Sequence, residues 1–262
     1  MDIISDTPYR EIYYDVPTAW GGNPGDPINR PQPSDFVEYF FRRINNGFFV
    51  DVGANDGIIW NNTLGLENRG WTGICIEPHP DIFEELTKDK FILIPRPFVA
   101  DTLEEISKMP PAVPYVTYQY MHRRAECIQV AISDKEGKAD FLSFKGDWDS
   151  NMLSGLVDTI DHKQREREDF KKHLTSAEVT KVECKKLQTI FDERGVFGVH
   201  YLSIDVEGGE INVLNSIDFD KTHIDLISVE ANFSRKPIDK ILKKKGYKFI
   251  EQVESDCFYQ KS

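Results

Sequence analysis

The chain has 262 residues, 40% hydrophobic and 29% charged, an ordinary globular mix with enough length for a full core in one domain, or at most two. Its net charge of −12 argues against gripping a nucleic-acid backbone or an anionic membrane surface, both of which call for a basic footprint. No apolar run approaches the ~20 residues that cross a bilayer. The start, MDIISDTPYREIYYD, lacks a basic stretch followed by an apolar core, so no signal peptide is expected and a cytoplasmic site is. Cys75, Cys127, Cys184 and Cys257 form no CxxC pair and fall in apolar runs, as buried free thiols of a reducing compartment do. The histidines show no HExxH or similar ligand spacing.

Residues 1–34 are rich in Pro, Gly and Tyr and form an arm or covering loop, leaving 35–262 as one domain. Phe36 to Ile44 follows Ser34 and Asp35 and predicts a short helix. GFFVDVGANDG is then an apolar run ending in a glycine loop, the pattern of a parallel strand covered on both faces. WTGICIEP, CIQVAIS, VHYLSIDVEGGE and DLISVEAN repeat it. Helical stretches are predicted at Pro80 to Lys88, Leu187 to Arg194, Gly209 to Ile217 and Pro237 to Lys245. That alternation predicts an α/β fold with a parallel sheet. GYKFIEQVE and DCFYQKS leave no room for a helix between them, so they form a hairpin and the last strand is antiparallel. Two segments exceed what the connections need: an insertion over 91–122 and a lid-like segment over 146–180. The charge run DHKQREREDFKKH in the second predicts a solvated helix face. Tyr115, Tyr118, Tyr120 and Trp148 in these segments are candidates to stack on an acceptor.

Three groups of residues point to chemistry. Asp51, Gly53, Asn55 and Gly57 lie directly after the first strand, spaced G-x-x-x-G rather than the G-x-G-x-x-G of a pyrophosphate loop. Gly53 suits a tight turn, and Gly57 a close backbone approach to a ligand. An acidic loop of this kind suits a cationic amino-acid ligand better than a phosphate. Glu77, at the tip of the second strand in ICIEP, stands where an acidic residue hydrogen-bonds ribose hydroxyls in nucleotide-binding α/β folds. Asp205, Glu207 and Glu210 end the fourth strand, and Glu230 and Asn232 end the fifth beside it. Crowded carboxyls raise one another's pKa, which suits a general base. For Glu210 a dipole-stabilised place at a helix start is an equal reading.

FFVDVGANDG, GICIEPHPDIFEEL, VAISDKEGKADF, NMLSGL and LSIDVEGGEINVL followed by ISVEA carry a resemblance to the FkbM family of S-adenosylmethionine-dependent methyltransferases. The resemblance spans roughly Phe48 to Ser262 and leaves out the arm. It implies a class I methyltransferase fold, Rossmann-like, with a seven-stranded mostly parallel sheet, the last strand antiparallel, and helices on both faces. It implies S-adenosyl-L-methionine over the first two strands. Asp51, Gly53, Asn55 and Gly57 would surround the amino-acid and sulfonium end, and Glu77 would hold the ribose, with Pro78 and His79 beside it. Ala131, Ile132 and Ser133 would border the adenine, and Asp205 would face the methyl group's exit side.

The family's usual reaction, O-methylation of a hydroxyl on a sugar or other natural product, is the expected activity. The acceptor is therefore a small molecule or glycan, with no nucleic acid and no membrane span involved. Asp205 is the first candidate base, followed by Glu230 and Glu207. A variant places Mg2+ or another divalent cation on Asp205, Glu230 and Asn232, because hard cations favour carboxylate and amide oxygens. Two rival readings are an NAD-dependent oxidoreductase, for which neither the glycine loop nor a proton-transfer pair is present, and a binding or scaffold protein that keeps the fold without catalysis.

Overall fold

The computed structural model describes residues 32–88, 90–95, 116–121, 123–146, 152–160, 174–232 and 234–262. Most of the arm, the middle of the 91–122 insertion, and the charge run at 161–173 lie outside the described residues, as do Tyr115 and Trp148.

The centre of the fold is a seven-stranded sheet. Its strands are β1 (Phe48–Val52), β2 (Thr72–Ile76), β5 (Glu126–Ile128), β10 (Gly198–Ile204), β11 (His223–Glu230), β12 (Tyr247–Val253) and β13 (Asp256–Lys261). They stand in the order β12-β13-β11-β10-β1-β2-β5. The four pairings from β11 through β10, β1 and β2 to β5 are parallel, while β13 runs antiparallel to both β11 and β12. The expected closing hairpin is thus present.

Side chains alternate across each strand, so neighbours enter different cores. Val50, Ile74, Leu202 and Ile227 pack with three helices, α4 (Leu187–Arg194), α5 (Glu210–Asn215) and α6 (Lys236–Lys244). Phe49, Cys75, Tyr201 and Phe258 pack with the other three, α1 (Pro33–Phe40), α2 (Leu64–Asn68) and α3 (Pro80–Thr87). Helices therefore cover both faces, which explains why the strands read as continuous apolar runs rather than alternating ones. Helix α1 starts three residues before the predicted Phe36. Its Pro33 fits a first turn, and Asp35 reaches back to accept the N–H of Gln32 at 2.9 Å.

The strand pattern outside this sheet departs from expectation. CIQVAIS does not form one strand. β5 pairs with β2 for three residues, and the chain then leaves the sheet as β6 (Ala131–Ile132). A second sheet, ordered β6-β9-β7-β8, is built with β7 (Gly137–Gly146), β8 (Gly155–Leu156) and β9 (Leu174–Lys185). Phe141, Phe144, Val182 and Cys184 are buried in it, and the lysines and glutamates alternating with them face outward. Within 91–122, β3 (Lys90–Pro95) pairs antiparallel with β4 (Val116–Met121). Of Tyr118 and Tyr120 only the backbone is described, as part of β4. Among the described residues no helix is long and apolar enough to cross a membrane.

Candidate active site

The carboxyl ends of β1 and β10 are locked together. Asp205 donates its N–H to the Val52 carbonyl at 2.9 Å. Gly53 follows at φ +88°, and a Cβ on it would lie 1.6 Å from the Asp205 carbonyl oxygen. Glycine is required there by its backbone neighbour as well as by its own conformation. The N–H groups of Gly53 and Ala54 both donate to the Ile76 carbonyl at 3.0 Å, so the loop also closes onto β2.

Glu77 is held at the tip of β2. Its Oε2 accepts the Asn55 N–H at 3.1 Å, and its Oε1 accepts the His79 N–H at 2.8 Å. Burial pushes its carboxyl up to about 7, outweighing these two hydrogen bonds, and the charge of Asp51 adds to the rise. A carboxylate has about four lone-pair positions, so two remain for a ligand.

These loops frame a cleft with about 740 Å3 of empty space, its open mouth included. Gly53, Asn55, Glu77, Pro78, Ala131, Ile132, Asp205 and Glu207, all expected at the site, line it. His79, Ile82, Val130 and Phe141 form an apolar-rich corner beyond Glu77. Met152, Ser154, Gly155, Leu156 and Thr159 supply a further stretch of wall. The NMLSGL motif thus has a place in the cleft that the sequence reading did not give it. Among the described residues, no lysine or arginine lines the cleft.

Five expected residues sit outside the lining. Asp51 is buried and accepts hydrogen bonds from Thr63 Oγ1 at 2.7 Å and Asn61 Nδ2 at 2.9 Å. Burial raises its carboxyl, against Arg123, Thr63 and Asn61, which lower it. It therefore anchors the loop instead of facing the ligand. Gly57 has a packing role: a Cβ there would come within 2.6 Å of Leu86 Cδ1 and 3.1 Å of Arg123 Cγ. Ser133 is buried and joins β6 to the end of β9 through its N–H to the Lys185 carbonyl at 3.0 Å. Glu230 stands behind Asp205, and Asn232 is exposed.

Sequence reasoning missed the arginine that fixes this loop. Arg123 is buried and donates to Glu67 Oε2 at 2.9 Å, the Gly57 carbonyl at 2.8 Å, Asn61 Oδ1 at 3.1 Å and Thr63 Oγ1 at 2.9 Å. Asn61 Oδ1 also accepts the N–H groups of Thr63 and Leu64 at 2.9 and 2.8 Å, opening α2. Neither Arg123 nor Glu67 lies at a motif offset. The signal available was a glutamate inside a short apolar helix, which needs a buried partner.

At the other end of the cleft, Asp205, Glu207 and Glu230 present carboxylate oxygens all within 4.8 Å of one another. Asp205 is open to water through the cleft, yet protein crowds it closely enough that desolvation, followed by the charge of Glu230, holds its carboxyl well above the usual range. Glu230 is also raised, by burial first and then by Glu207, while its hydrogen bond from Asp205 opposes the rise. Two acids so placed do not ionise independently. Asp256, at the start of β13, is pushed up to about 7 by burial and by Glu254 and Asp51. Glu207 holds a left-handed φ of +59°, a strained conformation for a non-glycine residue. Glu210 closes the turn instead of facing a ligand: its Oε1 accepts the N–H groups of Val206 and Gly208 at 3.2 and 3.0 Å.

The chain matches the Methyltransferase FkbM domain over residues 51–249. No curated protein matches it. Among solved structures, the METTL16 MTase domain aligns with a TM-score of 0.40 and 12% sequence identity, covering 96% of this chain and 77% of that one. The domain match spans well over half of the chain. The protein belongs to the FkbM methyltransferase family.

Proposed function

We propose that the protein transfers the methyl group of S-adenosylmethionine to a hydroxyl oxygen of a sugar, glycan or other natural product. The observation that carries this reading is one cleft lined both by Glu77, a carboxylate at the tip of β2, and by Asp205, whose carboxylate lies within 4.8 Å of that of Glu230. The donor set fits an adenosyl group. Glu77 keeps lone pairs for two hydroxyls, Ile82, Val130, Ile132 and Phe141 offer apolar walls to a flat base, and Gly53 leaves the loop low. Among the described lining residues none is a lysine or arginine, the side chains that pair with a dinucleotide's pyrophosphate.

When bound, S-adenosylmethionine supplies a methyl group made electrophilic by its sulfonium. The protein's part is to orient both reactants and exclude water, which lowers the barrier by prepaid entropy. Glu77 fixes the nucleoside end, and the Gly53–Asp205 contact fixes the spacing to the acids. Once the Asp205–Glu230 pair has given up a proton, Asp205 is placed to accept that of the acceptor hydroxyl, a contribution of about 10²–10⁴-fold.

The test is transfer of isotopically labelled methyl from S-adenosylmethionine to a panel of glycosides. In Asp205→Asn, turnover is expected to fall about 10²–10⁴-fold with S-adenosylhomocysteine affinity unchanged. Turnover within threefold of wild type removes Asp205 as base. Tight S-adenosylhomocysteine binding with no transfer to any hydroxyl favours a scaffold that keeps the cofactor.

A further inference from the structure

Cys75 and Cys127 are free thiols that stand opposite each other where β2 pairs with β5. Their side chains share one face of the sheet: Cys75 belongs to the core beneath α1, α2 and α3, and Cys127 packs against it. Opposed residues on neighbouring strands are about 4.8 Å apart, inside the range of about 4.4–6.8 Å between the Cα atoms of a disulfide. The other two cysteines lie elsewhere, Cys257 in the core on the opposite face and Cys184 in the second sheet.

The two thiols are unequal. Cys75 is sealed, at 0% exposure, whereas Cys127 is half-buried on the last strand of its sheet, so a small oxidant meets Cys127 first. A hydrogen bond from the Cys75 S–H lowers the pKa of the Cys127 thiol, and the charge of Arg123 also lowers it, against the effect of burial. The same hydrogen bond, followed by burial, raises Cys75. Thiolates, not thiols, attack peroxides.

We propose that Cys127 and Cys75 form a peroxide-reactive dithiol, Cys127 attacking the oxidant and Cys75 resolving the product. The Cys127 thiolate attacks one oxygen of hydrogen peroxide and the O–O bond breaks. A sulfenic acid forms, and the leaving hydroxide takes up the proton that the Cys127 thiol released, giving water. The Cys75 sulfur then bonds to the sulfenic sulfur, and the displaced hydroxyl leaves as a second water with the Cys75 proton. Two thiols are oxidised to one disulfide, and one peroxide is reduced to two waters. The new bond ties β5 to β2 beside Glu77, whose N–H donates to the Ile128 carbonyl at 3.1 Å.

The experiment treats the reduced full-length protein with limiting hydrogen peroxide and maps its thiols by mass spectrometry without reductant. A disulfide linking the Cys75 and Cys127 peptides is expected, and dithiothreitol should reverse it. In the same molecules Cys127 should react about tenfold faster than Cys184 or Cys257. In Cys75→Ser, the Cys127 sulfenic acid should persist and be captured by dimedone. In Cys127→Ser, Cys75 should stay unmodified. Oxidation of Cys184 or Cys257 as fast as Cys127 overturns the proposal. So does over-oxidation of Cys127 in wild type while Cys75 remains a free thiol. The wild-type measurements decide the matter even where a serine variant fails to fold.

Discussion

Replacing Glu77 by glutamine tests whether the strand-tip carboxylate is kept for a ligand at a cost to the fold. Burial moves this carboxyl from 4.5 to about 7, a gap of about 3 kcal/mol. The sign follows from where the proton binds. Between 4.5 and 7 the folded chain keeps a proton that the unfolded chain sheds, so stability falls as pH rises through that window. Above about 7 both states are ionised and the loss is complete. In Glu77→Gln this contribution disappears, so the variant should gain on wild type by up to about 3 kcal/mol between about pH 5 and pH 8. A pH-independent offset of about 1–3 kcal/mol opposes it, because the amide's NH2 faces one of the two backbone N–H groups. The diagnostic is the change in the difference with pH, read by urea denaturation of both proteins across that range. The raised carboxyls of Asp205, Glu230 and Asp256 act in both proteins and largely cancel. S-adenosylhomocysteine should bind the variant about 100-fold more weakly, since two hydroxyls lose a charged acceptor. Wild-type affinity should rise with pH through about 7. Parallel stability curves together with equal affinities would refute the reasoning.

Two further outcomes follow from the same geometry. Arg123→Met leaves Glu67, 1% exposed at its side chain, buried without its main partner, and should cost about 3–5 kcal/mol by chemical denaturation. Adding Glu67→Leu should recover part of that loss, and a double variant no more stable than the single one argues against the pair. Chelation with EDTA should leave turnover unchanged, because Asn232, the third ligand of the expected cation site, stands exposed outside the cleft lining. Activity lost to EDTA and restored by Mg2+ would return Asp205 and Glu230 to the role of metal ligands.

The central sheet was legible because its strands are short, buried on both faces, and separated by helices of clear periodicity. The closing hairpin was legible from chain length alone. The second sheet was not. β7 and β9 alternate charged with apolar residues, and they are interrupted by long polar stretches that resemble a covering segment. At the site, Gly53, Asn55, Glu77 and Asp205 were legible because each ends a strand, and strand ends gather at one edge. Asp51 and Gly57 belong to the same motif yet act behind the cleft: Asp51 lies within β1 and is held by Thr63 and Asn61, and Gly57 sits against Leu86 and Arg123. Arg123 was not legible: it reaches the loop from the start of β5, and nothing in the spacing ties it to Glu67.

The near-touch between Gly53 and the Asp205 carbonyl has a consequence for how acceptor range changes. The loop that holds the nucleoside and the turn that carries the acids share one backbone frame, so neither can be widened alone without breaking the other. The stretch 152–160 belongs to the second sheet, lines the cleft with small and apolar side chains, and touches the frame only at the turn, where a Cβ on Gly155 would lie 3.5 Å from the Val206 carbonyl oxygen and one on Gly209 3.4 Å from Thr159 Oγ1. On the reading proposed above, a larger or smaller acceptor is accommodated at that wall, while the spacing between the Gly53 loop and the Asp205 turn stays fixed.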